Sequence, residues 1–192
     1  MIEKTPFDEK IETERLILKP YDRTFECAIM LYNAIKNNWD FLTRFLYKML
    51  NTKSPEDEYA WLVSMSEKWK NMDGPCYSIW TKDGKFVGSC DLHSMDYERQ
   101  TADVGYWLQQ EYAGKGYMTE ALKALEDNFF ARGFNRLTIV MDTENTPSEK
   151  VAIRCGYTKE GVMRQWHYNP TLKSFRDMYL YSKLKSEWEK QR

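Results

Sequence analysis

The chain has 192 residues, 42% hydrophobic and 30% charged, a size and balance that suit one globular domain over 1–192 with a core of its own. Its formal net charge of −1 lacks the basic excess of a phosphate-neutralising surface, so a nucleic-acid partner is disfavoured. No run approaches the roughly 18–20 apolar residues that span a bilayer, and the opening Met1-Ile2-Glu3-Lys4-Thr5-Pro6 lacks the apolar region of a secretory signal, so no membrane partner is expected.

Glu14 to Pro20 alternates apolar and polar residues and predicts a first strand. Asp22 is placed to cap a helix with the stripe Phe25, Ala28, Ile29, Tyr32 and Ile35, which Asn37-Asn38 ends. A short aromatic helix is expected from Phe41 to Leu50. Ser54-Pro55-Glu56-Asp57 then joins a cap, a first-turn proline and first-turn acids, opening a helix with Tyr59, Leu62, Ser66 and Trp69 on one face. Cys76 to Thr81 and Lys85 to Leu92 flank the hairpin turn Lys82-Asp83-Gly84, and Thr101 to Gln109 continues the meander. Gly116 to Arg132 has helical spacing, with Gly133 as its left-handed cap. Arg136 to Met141 reads as a doubly buried strand, Pro147 to Cys155 as a short helix, and Tyr157 to His167 and Phe175 to Leu184 as the last strands. A strand-helix-strand passage among hairpins predicts a mixed α/β sheet of about 7 strands with helices on both faces. Cys27, Cys76, Cys90 and Cys155 form no CxxC pair and read as free thiols of a reducing cytoplasm. Neither a His/Cys nor a carboxylate cluster has metal spacing, so no metal is expected.

The functional signal is Ala113-Gly114-Lys115-Gly116-Tyr117-Met118-Thr119-Glu120, between a strand and a helix. Unpaired amides and the dipole make a helix start a phosphate site, and the glycines let an anion reach the backbone. A Walker A loop is excluded because Lys115 precedes Gly116, and the dinucleotide form is excluded because position 119 is Thr.

The run Asp103-Val104-Gly105-Tyr106-Trp107-Leu108, followed by Tyr112 to Leu122, resembles motif A of the GNAT acetyltransferases, and within them the branch that acetylates the N-termini of ribosomal proteins. Thr13-Glu14-Arg15-Leu16-Ile17-Leu18, Asn145-Thr146-Pro147-Ser148 and Gly156-Tyr157-Thr158-Lys159-Glu160-Gly161 match further stretches of that branch in the same order. The resemblance implies a GNAT-like, partly splayed sheet and acetyl-CoA as cosubstrate. It implies that Gly114, Lys115, Gly116, Tyr117, Met118 and Thr119 hold the pyrophosphate and that Trp107 and Leu108 pair with the pantetheine amides; Asn145 is placed to cap the following helix, to bind coenzyme A, or both, with coenzyme contact the favoured reading. Ala113 stands where the pattern prefers Gln or Arg, and Met118 where it prefers Gly or Ala; Lys115 is placed to compensate by charge.

Acetyl transfer needs a neutral amine, a stabilised oxyanion and a proton for the leaving thiolate. The Tyr that many family members use as thiol acid is replaced by Ala152, and the resemblance points to Ser148 instead. His167 is the candidate base, because an imidazole titrates near neutral pH; the branch can carry a carboxylate there. Glu160 is a rival that belongs to a structural turn, and His93, at the end of a hairpin strand, reads as structural. Trp39, Phe41 and Tyr168 are candidate groove residues, with core packing the favoured reading for Phe41. The acceptor expected is a protein N-terminus, such as that of a ribosomal protein. A polyamine or aminoglycoside-like amine, or a non-catalytic acetyl-CoA-binding regulator, are the alternatives, and a homodimer is compatible with the resemblance.

Overall fold

The computed structural model describes residues 2–191. Among them the strands are β1 (Ile11–Glu12), β2 (Leu16–Pro20), β3 (Cys76–Thr81), β4 (Phe86–Asp96), β5 (Thr101–Leu108), β6 (Arg136–Asp142), β7 (Thr158–Asn169) and β8 (Ser174–Leu184). The helices are α1 (Phe25–Asn37), α2 (Trp39–Thr43), α3 (Pro55–Lys70), α4 (Tyr117–Phe130), α5 (Thr146–Arg154) and α6 (Lys185–Glu189). The strands form one sheet in the order β1-β2-β3-β4-β5-β6-β8-β7. The eighth strand, beyond the seven expected, is the two-residue β1, which pairs antiparallel with β2.

Among the described residues only β5 and β6 run parallel, and their pairing covers Thr101–Asp103 against Arg136–Thr138. Beyond Asp103 the two strands part, while β5 stays paired with β4 as far as Leu108. This is the expected splay, and it opens a cleft inside the sheet.

Strand alternation sorts the side chains between two layers. Cys90, Leu92, Ala102, Val104, Leu137, Ile139 and Met141 point to one face, where Met118, Leu122, Leu125 and Phe129 of α4 and Val151 and Ala152 of α5 bury them. The other face carries Trp107 and packs against α1 and α3 through Leu31, Ile35, Leu62 and Phe86.

Several local expectations shift. Thr24, not Asp22, caps α1, its hydroxyl accepting from the Cys27 amide at 3.2 Å. The aromatic segment divides into α2 and a 3-10 turn, Tyr47–Asn51, and Phe41 is 39% exposed instead of core. α6 lacked a sequence signal and forms because Glu187 accepts the Leu184 amide at 2.8 Å while Trp188 packs on Phe130. The cysteines are free, and three of them are buried.

Candidate active site

α4 begins without a side-chain cap. Its first helical bond runs from the Glu120 amide to the Gly116 carbonyl at 3.1 Å, so the amides of Tyr117, Met118 and Thr119 precede the ladder. Gly114 and Gly116 have φ of 76° and 82°, the left-handed region that L side chains avoid. A Cβ on Gly114 would meet nothing within 4 Å, so the space above the turn is open to a ligand. Met118 is buried, and only its backbone belongs to the turn.

The turn is held from a distance. Glu120 accepts from the Thr13 hydroxyl at 2.5 Å, from the Arg15 amide at 2.8 Å and from Arg15 Nε at 2.7 Å. Arg15 Nη1 donates to the Lys115 carbonyl at 3.0 Å, and the guanidinium lies 4.7 Å over the Tyr117 ring. Burial opposes ionisation of Glu120, but the Thr13 and Arg15 hydrogen bonds outweigh it and hold its pKa below the usual value. The Thr13 to Leu18 stretch, read from the sequence only as the opening of the first strand, thus also clamps the Gly turn. Arg15→Gln is expected to raise the KM for acetyl-CoA roughly tenfold with kcat nearly unchanged, as for loss of one charged hydrogen-bond set. Steady-state kinetics checks the split.

Along the cleft, the Gln109 amide donates to the Val87 carbonyl at 2.9 Å. By antiparallel alternation the backbone groups of Trp107 also face β4, whereas those of Tyr106 and Leu108 face the splay. The Trp107 side chain packs on Phe86.

α5 starts opposite this edge. Asn145 caps it, its side-chain oxygen accepting from the Ser148 amide at 3.3 Å. The Ser148 hydroxyl lies 2.9 Å from the Tyr106 hydroxyl. Burial raises the Tyr106 pKa, so this phenol stays protonated. Tyr106 had no assigned task in the sequence, because the pair is 42 residues apart. Thr119 accepts from Arg154 Nε at 3.1 Å, joining α5 to the first turn of α4.

The far side of the cleft is bounded by the β7–β8 hairpin. Asn169 Nδ2 and the Thr171 hydroxyl donate to the carbonyls of Arg44 and Thr43 at 2.9 and 3.0 Å, fixing the hairpin to the end of α2. His167 stacks on Tyr47 at 5.0 Å, and its Nε2 is enclosed without a partner. Beside it Arg176 donates to Asp142 at 2.8 and 3.0 Å and pairs with Glu144 at 2.8 Å. Glu160 is engaged elsewhere: Arg136 and Ser182 bind it, the Arg136 hydrogen bonds being the larger cause that brings its pKa down to about 2. It is an ion-pair anchor and a poor proton acceptor near neutral pH.

The acetyltransferase (GNAT) domain model matches residues 15–158, which takes in Arg15 and Glu120 of the clamp, the splay, the Gly turn and α5. The chain belongs to the GNAT acetyltransferases. This GNAT chain is 28% identical over 160 residues to the uncharacterized N-acetyltransferase YoaA of Bacillus subtilis, covering 82% of the chain and 88% of that protein. It is 28% identical over 104 residues to the ribosomal-protein-serine acetyltransferase of Escherichia coli, covering 54% of the chain and 57% of that protein. Its fold resembles that of RimL, the ribosomal L7/L12 alpha-N-protein acetyltransferase solved with coenzyme A, with a TM-score of 0.87, 23% identity, and coverage of 93% and 99%.

Proposed function

We propose that this GNAT enzyme acetylates the N-terminal amino group of a protein, with a ribosomal protein as the leading class of substrate. The single observation that carries the donor side is the splay of β5 from β6, which ends on the uncapped start of α4. The amides of Gly114 to Thr119, with Lys115 at the rim, hold the pyrophosphate, and the backbone groups of Leu108 and Tyr106 hold the pantetheine amides. Trp107 shapes the cleft by its packing, and any contact of Asn145 with coenzyme A belongs to its Nδ2. When bound, acetyl-CoA supplies the activated acetyl group.

Ser148 passes a proton to the leaving thiolate, and Tyr106 orients that hydroxyl from the 2.9 Å contact. Tyr106→Phe is expected to lower kcat about fivefold, the worth of one neutral hydrogen bond, without changing acetyl-CoA affinity. An unchanged kcat would leave Tyr106 a packing residue. His167, with Tyr47, walls the acceptor groove.

The acceptor reading is supported by the relatives named as ribosomal-protein acetyltransferases. A competition of Ser- and Ala-initiated peptides against polyamines and free amino acids, with the acetyl group located by mass spectrometry, tests it. Acetylation at the peptide α-amine is expected. Exclusive transfer to a polyamine would replace this reading with a small-amine one.

A further inference from the structure

His93 differs from a solvated strand end. Its Nδ1 lies 2.9 Å from Asp91 Oδ2, two residues back on the same face of β4. Asp91 stands opposite Gly105 of β5, where a Cβ would collide with the carboxylate; the glycine makes room for the group that holds the imidazole. His93 itself stands opposite Asp103. Immediately afterwards β4 slips register between His93 and Asp96, and Ser94 adopts φ 51°, uncommon for a residue other than glycine. Such a bulge re-aims neighbouring side chains. The His93 side chain remains 48% exposed.

The position matches the chemistry of the cleft. The splay begins just past Asp103, and the edge of β5 from Gly105 to Leu108 runs roughly 10 Å before the chain turns towards Gly114. An extended pantetheine arm lying along β5 from the turn brings its sulfur towards the closed end, beside Gly105. Tyr106 and Ser148 reach that end from the α4–α5 face. Asp91, His93 and Asp103 stand on the opposite face of the sheet at that level, the face that also carries Trp107.

We propose that His93, held by Asp91, is the base that takes the proton from the attacking amine, and that Asp91 and Asp103 draw a cationic amine to the closed end of the cleft. This rests on the acetyl-transfer reading above. With Nδ1–H donated to Asp91, Nε2 is the nitrogen with the free lone pair. Nε2 takes one proton from the ammonium group. The neutral nitrogen bonds the acetyl carbonyl carbon as the carbon–sulfur bond breaks. The second proton of that nitrogen reaches the thiolate through Ser148, and solvent receives the proton stored on His93. His167 remains a wall of the groove.

The charged groups around the imidazole are Asp91 on β4, Asp103 on β5 and Lys48 on the 3-10 turn, with Arg136 of β6 beside Asp103. The Asp91 hydrogen bond is the largest cause and raises the His93 pKa, burial opposes it, both carboxylate charges add to the rise, and Lys48 opposes. The neutral, competent form is therefore lost as pH falls through a pKa raised from the ordinary histidine value.

The test is the pH dependence of kcat/KM for the wild type, H93Q, D91N and H167Q with one peptide amine, with acetyl-CoA affinity measured separately by calorimetry. H93Q is expected to lose about 100-fold or more in kcat/KM and the acidic limb with it, at unchanged acetyl-CoA affinity. D91N is expected to keep the limb but move it to lower pH, since the imidazolium loses its carboxylate. H167Q is expected to keep the limb and raise the KM for the acceptor. An H93Q enzyme with the wild-type limb, or a limb lost in H167Q instead, overturns the proposal and leaves acetyl transfer standing. A wild-type chain that releases no thiol with any amine overturns both.

Discussion

Gly116→Val is expected to raise the dissociation constant for acetyl-CoA by about 5- to 30-fold, from a backbone cost of roughly 1–2 kcal/mol. At φ 82° the glycine starts α4 in a conformation that a β-branched residue resists. A side chain there would also approach Arg15 Nη2, 3.4 Å from the Cβ position, and so press on the clamp that holds the Lys115 carbonyl. The turn then flattens, withdrawing the amides of Tyr117 to Thr119. Gly114→Val meets open space instead, so the comparison isolates backbone conformation from contact. Calorimetric titration with acetyl-CoA reads the affinity; wild-type affinity in Gly116→Val would remove the turn as the pyrophosphate site.

Lys183→Met is expected to cost about 3–5 kcal/mol of folding free energy. Lys183 Nζ lies 2.7 Å from Glu126 Oε2 and 2.8 Å from the Cys155 carbonyl, with side-chain exposures of 2% and 1% for the ion pair. It ties β8 to α4 and to the end of α5, the two helices of the proposed donor site. Removing the ammonium strands a buried carboxylate. Burial already pushes the Glu126 carboxyl up to about 7 against the opposing charge of Lys183. In the variant Glu126 therefore takes up a proton in the folded state while ionising when unfolded. A folded pKa above the ordinary 4.5 means that the loss is smallest below that value and grows as pH rises. Replacing both partners with apolar residues is expected to recover much of the loss. Denaturant unfolding across pH measures each; a loss below 1 kcal/mol would show the pair to be dispensable.

The helix start and its glycines were legible because their signals are local: the Gly-Lys-Gly spacing and the amphipathic repeat of α4 lie within adjacent residues. The splay was reached through the motif, and the structure shows it as a pairing that stops at Asp103. What escaped reading was set by distant partners. Glu120 looks like a first-turn acid until Arg15 arrives from 105 residues away. Lys183 sits in a polar-looking strand end, and only the packing of α4 and α5 reveals it as buried. The Asp91–His93 pair was within reach, since residues two apart on a strand share a face. Its meaning depended on Gly105 across the sheet, which strand pairing alone supplies.

The most direct measurement of the central claim is the release of free coenzyme A thiol from acetyl-CoA by the wild-type chain in the presence of a peptide with a free N-terminus, with the peptide product weighed. Thiol release matched one-for-one by peptide acetylation, and abolished when the peptide amine is blocked, is the predicted result. Saturable acetyl-CoA binding with neither thiol release nor acetylation, for peptides and small amines alike, would contradict it.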